Sequence, residues 1–215
     1  AFSPNSSPSR AVHCLWGNMV WAMITLGYGG DERLARSVEM LARSVTGDGY
    51  PWYRRSGIQG PGFLCTANGG LPCAWGAVRV LWALNRVPAS MRTPLVEEAA
   101  AATTEFLLRY NVARADYPHV ERISPNWFKF GYPLGYVTDL LLNLEVLAEA
   151  GCRDDPRLED AITLVLSKQD EQGRWRMEYS YNGKMWADVE AKGQPSKWVT
   201  LRAVRTLRRL GRISP

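Results

Sequence analysis

His13-Cys14-Leu15-Trp16-Gly17 returns later in the chain as Pro72-Cys73-Ala74-Trp75-Gly76, a spacing of 59 residues. The same 59-residue step leads from Gly76 to Gly135, in Tyr132-Pro133-Leu134-Gly135. Each copy opens an apolar run with helical character: Cys14 to Leu26, Cys73 to Leu84 and Leu134 to Ala148. A fourth start lies at Ser196-Lys197-Trp198, where Ser196 is a good N-cap for a helix over Lys197 to Leu210. Repeats of this length are supersecondary units that bury their apolar faces against one another.

Between these runs lies an amphipathic set, Asp31 to Val45, Thr93 to Tyr110 and Asp155 to Lys168. It keeps its own frame: Leu34, Val96 and Leu158 are 62 residues apart, each followed by apolar residues at helical spacing. The first set is apolar nearly all round, as helices buried on both faces should be. The second has one charged face for water. An all-α fold with two layers of helices follows, an inner apolar layer and an outer amphipathic one. The long connections Thr46 to Leu71 and Asn111 to Tyr132 are rich in Gly, Pro, Tyr and Trp, and both lie on the side where the inner helices begin.

Composition agrees with a globular chain. Of 215 residues, 46% are hydrophobic and 22% charged, which excludes a disordered, collagenous or fibrous protein. Nine Trp, nine Tyr and five Phe exceed what a small core needs and are enough to line a cavity. The net charge of +5 does not call for nucleic acid as a partner. Four Cys without a dense framework suit reduced thiols and a cytoplasmic setting. The 20 uncharged residues between Arg10 and Asp31 include His13, Asn18, Thr25 and four Gly, so no transmembrane segment is expected. Residues 1–12 read as a linker or a cut N-terminal segment, and 13–215 as a single domain.

Gln169-Asp170-Glu171-Gln172-Gly173-Arg174-Trp175 resembles the Gln…Gly-x-Trp motif of the prenyltransferase and squalene oxidase repeat, and Thr46-Gly47-Asp48-Gly49-Tyr50-Pro51-Trp52 resembles a weaker copy. With the repeat spacing, the chain from Cys14 to Leu210 is similar to the α/α toroid of terpenoid cyclases and protein prenyltransferases. The resemblance implies concentric helix layers around an aromatic-lined cavity for an apolar, isoprenoid-like small molecule, with cyclisation or prenyl transfer as the chemistry. In that family the Gln and Trp of the motif are structural staples. The family toroid has six helix pairs; the seven helices expected here would form an open ring. Missing N-terminal repeats or a second protomer would then complete it. The alternative from another class is a non-catalytic helical-repeat scaffold that binds a partner protein or a lipid.

The Asp-x-Asp-Asp acid of the class II cyclases is absent. Asp154-Asp155 is the nearest stretch, and its place before Pro156 suits a helix cap. A carboxylate candidate lies instead on the third inner run, where Asp139 and Asn143 are four apart on one face. Desolvated there, Asp139 could serve as a general acid; the alternative is a carboxylate bonded to a helix end or a Tyr. Trp16, Trp21, Trp75, Trp82 and Tyr136 are the candidate ligand-binding aromatics. His13, Cys14, Cys65 and Cys73 converge on the starts of two inner helices, a donor set suited to tetrahedral zinc. The same thiols can also be small packing residues, or one can be a reactive thiol. A fainter likeness to lanthionine synthetase cyclases, through Cys14-Leu15-Trp16-Gly17 and Cys73-Ala74-Trp75-Gly76, points to zinc as well, although their Cys-His-Gly is absent. Arg202, Arg205 and Arg209 form a row that could hold a diphosphate or simply face water.

Overall fold

The computed structural model describes residues 11–50, 59–60 and 62–213. Among them are seven α-helices: α1 (His13–Thr25), α2 (Glu32–Thr46), α3 (Ala74–Leu84), α4 (Pro94–Leu108), α5 (Leu140–Glu149), α6 (Glu159–Leu166) and α7 (Lys197–Arg209). The extended structure is a two-residue antiparallel ladder, β1 (Gln59–Gly60) with β2 (Leu64–Cys65), and three single bridges. The class is all-α. No described helix is long and apolar enough to cross a membrane.

Helices α2, α4, α5 and α7 begin where a short polar side chain accepts from a free N–H of the first turn, while α1 and α3 begin without a side-chain cap. Asp31 accepts from Arg33 N at 2.8 Å, Thr93 from Val96 N at 3.3 Å, Asp139 from Leu142 N at 2.7 Å and Ser196 from Val199 N at 3.1 Å. Asp155 caps the short 3-10 turn that leads into α6, accepting from Arg157 N at 2.9 Å. The third apolar run departs from expectation: α5 starts at Leu140, not at Leu134. Gly135 is left-handed at φ 48°, and a Cβ there would lie 2.7 Å from the Tyr181 ring, so this glycine belongs to a turn packed on Tyr181. Gly17 and Gly76, by contrast, are helical.

The described residues form two compact units, one carrying α1 to α4 with residues 116–122, the other α5 to α7 with residues 111–115. In the first, α1 packs along α3 and α2, α2 along α4, and α3 on α4. Trp16 is fully buried, and its indole N–H donates to Ser37 Oγ on α2 at 2.9 Å. α2 buries Leu34, Val38, Leu41 and Val45 while Glu32, Arg33, Arg36 and Glu39 face water. α1 has no charged residue at all, and the single charge of α3, Arg79, is buried.

In the second unit α5 is buried along nearly its whole length, from Leu140 to Ala148, against α6 and α7. The stretch Gln169 to Trp175 is a tight turn closed by Gly173 N to Asp170 O (2.9 Å) and Asp170 N to Arg174 O (2.8 Å), with Gly173 at φ 76°. Trp175 is buried and its indole N–H donates at 2.7 Å to Val165 O in the last turn of α6, a carbonyl that Lys168 N also reaches at 3.2 Å. Its backbone N–H donates to Thr200 Oγ1 on α7 at 3.0 Å. The turn therefore fastens the end of α6 to the start of α7, a structural task. Of the weaker copy, Gly47 ends α2 at φ 85°, while Pro51 and Trp52 lie outside the described residues.

α1 and α3 touch backbone to backbone at Gly17, where a Cβ would fall 2.4 Å from Arg79 O and 2.9 Å from Val80 N. Alanine is the better helix former by about 1 kcal/mol. Overpacking against a backbone that cannot step aside costs about 3 kcal/mol. Gly17→Ala should thus lower the unfolding free energy by a net of about 2 kcal/mol, read from the urea midpoint at unchanged slope. Gly30→Ala, with nothing within 4 Å of its Cβ, should leave the midpoint in place.

Candidate functional site

The heads of α1 and α3 and the face of these helices turned away from α2 hold most of the chemistry of the first unit. His13 is the first residue of α1 and is buried. Its Nε2 lies 3.2 Å from Ser44 Oγ and 3.4 Å from Ser44 O. Since Ser44 Oγ itself donates to Leu41 O at 2.7 Å, both Ser44 oxygens act as acceptors toward His13, and Nε2 carries the hydrogen. The ring rests on Phe63 with centroids 5.3 Å apart. Burial pushes the His13 pKa down from 6.5 to about 4, against the opposing pull of the Ser44 carbonyl.

That arrangement overturns the zinc expectation for Cys14, Cys65, Cys73 and His13. Among the described residues no group of three or more His, Cys, Asp or Glu side chains is placed to hold a metal ion. The physical reason is that the ligands have other partners. His13 has turned its Nε2 to Ser44, and the Cys73 thiol donates to the Cys65 sulfur. All four cysteines, Cys152 included, are free thiols.

Below these heads runs a strip of half-buried side chains. Trp21 of α1 and Trp82 of α3, 61 residues apart, stack with centroids 4.1 Å apart and planes at 20°. Arg79 sits beside them, its guanidinium 5.1 Å from the Trp82 ring centroid and its Nη1 donating to Asn18 Oδ1 at 3.0 Å. Trp75 and Cys14 are likewise half-buried about two helical turns nearer the heads. Trp16 departs from this group, because it packs wholly inside against α2 and presents no surface to a ligand.

Asp139 and Asn143 lie in the other unit, both fully buried. Asp139 Oδ1 accepts from Leu142 N and from Arg202 Nη2 (2.8 Å), and Oδ2 accepts from Arg202 Nη1 (2.9 Å) and Gly131 N (3.4 Å). This is a helix cap and a bidentate buried ion pair at once, with both carboxylate oxygens taken up by donors of the protein itself. Burial works against the Arg202 charge, but the attraction and hydrogen bonds of Asp139 outweigh it and raise its pKa. Burial also raises Glu145, whose Oε2 lies 3.8 Å from Arg202 Nε. Arg202 is thus engaged inside the unit, Arg209 pairs with Glu149, and the exposed Arg205 acts on the Glu145 carboxylate, so the row is not left open for a diphosphate. Tyr136 is 54% exposed ahead of α5, its backbone N–H donating to Tyr181 Oη at 3.0 Å. An open groove of about 490 Å³ follows α7, lined by Arg174, Pro195, Lys197, Leu201 and Val204 among others.

Sequence reasoning placed the thiols correctly at the helix heads but missed Ser44, Asn18 and Arg79. The mark of Arg79 was readable: a lone charge in an otherwise apolar helix, 61 residues after a lone amide in its repeat. The buried His13 leads to a pH dependence. Its folded pKa lies below its unfolded value, so the unfolded chain takes up the proton first. Stability from this residue is complete above pH 6.5 and lost as the pH falls toward 4, about 3 kcal/mol in all. Urea unfolding at pH 7 and pH 4 should show the native chain losing about 3 kcal/mol more than a His13→Gln variant. Equal losses would mean that His13 is not held neutral. Comparison with known proteins finds no match of any kind: no family model, no curated protein and no solved structure matches this chain.

Proposed function

We propose that the chain is an α/α toroid protein of the terpenoid cyclase and prenyltransferase type, and that the α1 and α3 face binds an apolar, isoprenoid-like ligand. The stacked Trp21–Trp82 pair carries this reading. Two indoles left half-exposed on helices that hold no exposed charge cost burial energy unless something apolar covers them. A flat aromatic surface suits a branched polyene, whose double bonds meet the rings while the half-buried Asn18, held in place by the buried Arg79, offers polar contact to an oxygenated end. The repeat frames and the Trp175 staple support the toroid. The reading assigns the chain binding of the ligand; Asp139, committed to Arg202, is given no catalytic part in it.

Farnesol, an isoprenoid alcohol, is the probe. Titration should quench the intrinsic Trp fluorescence saturably. Trp82→Leu keeps apolar bulk but removes the stacked ring, worth about 0.5–1.5 kcal/mol, so the Kd should rise roughly threefold to tenfold. Trp186→Leu, at a wholly exposed position in the other unit, should bind like the native chain. No saturable quenching, or equal affinity of all three proteins, removes the proposal.

The α7 groove favours a second reading, a scaffold that seats a further helix. Leu201 is 47% exposed at its floor with Lys197 beside it. Light scattering should then show a dimer that Leu201→Glu returns to a monomer; a native chain that is monomeric throughout speaks for the binding reading alone.

A further inference from the structure

The segment from Phe63 to Cys73 folds back on itself so that two thiols meet. Cys65 N donates to Leu71 O at 3.1 Å, Cys73 N donates to Phe63 O at 2.9 Å, and Leu64 bridges Pro72 in antiparallel sense. With Leu64 opposite Pro72, Cys65 lies opposite Leu71, and because side chains alternate along extended backbone, Cys73 on the second arm shares their face. Cys65 and Cys73 are diagonal neighbours on that face, and the Cys73 thiol donates to the Cys65 sulfur. The turn between them is closed by Gly70 N to Cys65 O at 2.8 Å and by Asn68 Nδ2 to Pro72 O at 2.9 Å, with Gly69 and Gly70 left-handed. Beyond Cys65 the chain enters a 3-10 turn, Thr66–Asn68, whose Ala67 and Asn68 N–H groups face the sulfur. Cys73 is the N-cap residue of α3, and both side chains are only partly covered. The two sulfurs are therefore held together by backbone bonds, with one surrounded by donors.

We propose that Cys65 and Cys73 form a redox-active dithiol, Cys65 attacking and Cys73 resolving, that is oxidised reversibly to a disulfide by low-molecular-weight disulfides of the glutathione class. The chemistry is two exchanges. The Cys65 thiolate attacks one sulfur of the small disulfide; a Cys65–S–S–R bond forms, the R–S–S–R bond breaks, and one RS⁻ leaves. Cys73 then gives its proton to solvent and attacks the Cys65 sulfur; the Cys65–Cys73 bond forms and the second RS⁻ leaves. The dithiol is oxidised by two electrons and the small disulfide is reduced by the same two. The hydrogen bond from Cys73, then the Ala67 and Asn68 N–H groups, hold the Cys65 thiol down to about 6 against its burial, while the Cys73 thiol is pushed up. The attacking sulfur is thus the ionised one at neutral pH.

The full chain, reduced and freed of reductant, is incubated with oxidised glutathione at pH 7, quenched with acid, alkylated and digested. Mass spectrometry should find a Cys65–Cys73 cross-link that dithiothreitol reverses. In Cys73→Ser the reaction should stop at glutathione on Cys65, and in Cys65→Ser position 73 should stay unmodified. Because residue 73 also heads α3, a second measurement uses the native sequence alone. The rate of Cys65 alkylation by iodoacetamide, followed against pH, should reach half its plateau near pH 6 in the folded chain and near pH 8.5 in urea. The larger thiolate fraction, less the weaker nucleophilicity of a more acidic thiol, makes the folded chain roughly tenfold faster at pH 6. The same midpoint in both states, a cross-link from Cys14 to Cys73 in place of the 65–73 bond, or glutathione on Cys152 ahead of Cys65 overturns the assignment.

Discussion

The approach of α1 to α3 at Gly17 is the contact on which the first unit depends. Two helices pack at 8–10 Å when side chains separate them, and closer only where one side has none to interpose. With Arg79 O directly over the position of a missing Cβ, the helices meet through main chain. The 4.1 Å stacking of Trp21 on Trp82, the reach of Arg79 to Asn18, and the seating of His13 against Phe63 all follow from it. A bulkier residue at 17 would spread these pairs by the width of a methyl group and loosen all of them together.

The second unit solves the same problem with charge. α5 is too apolar to fix its own rotation, since one greasy face packs nearly as well as another. Asp139 supplies the missing direction by capping α5 and gripping Arg202 of α7 through both oxygens. Removing either partner would strand the other inside the protein, which costs more than the pair itself gains. Such a pair defines register between helices better than it adds stability, and the Trp175 turn holds the start of α7 to the end of α6 by neutral bonds.

Helices, outer caps and the amphipathic frame were all legible in the sequence, because local rules govern them: Asp31, Thr93, Asp155 and Ser196 each cap within three residues of themselves. The start of α5 was misread because Leu134 and Gly135 imitate the repeat while the stronger cap, Asp139, stands five residues on. The same Asp139 reads in the sequence as a possible acid because its counter-ion lies 63 residues away, beyond any local pattern. The donor set at the heads was found for the right reason, convergence of His and Cys, and given the wrong chemistry. Periodicity brings residues to one end of a helix layer but says nothing of rotamers, and it is the turn of His13 toward Ser44 that breaks a tetrahedral set.

That turn also keeps the polar groups at the helix heads apart from the half-buried aromatic strip. A neutral, buried His13 puts no positive charge beside Cys14 or Cys73, so Cys65, set apart at the end of β2, draws its stabilisation from backbone N–H groups and one thiol. The polar work is thereby confined to the turn ahead of α3. From Cys14 and Trp75 down to Trp21 and Trp82 the strip stays uncharged apart from Arg79, whose guanidinium is held against indole and amide. A cation so placed keeps its charge with little hydration, because indole and amide take the place of solvent around the buried guanidinium.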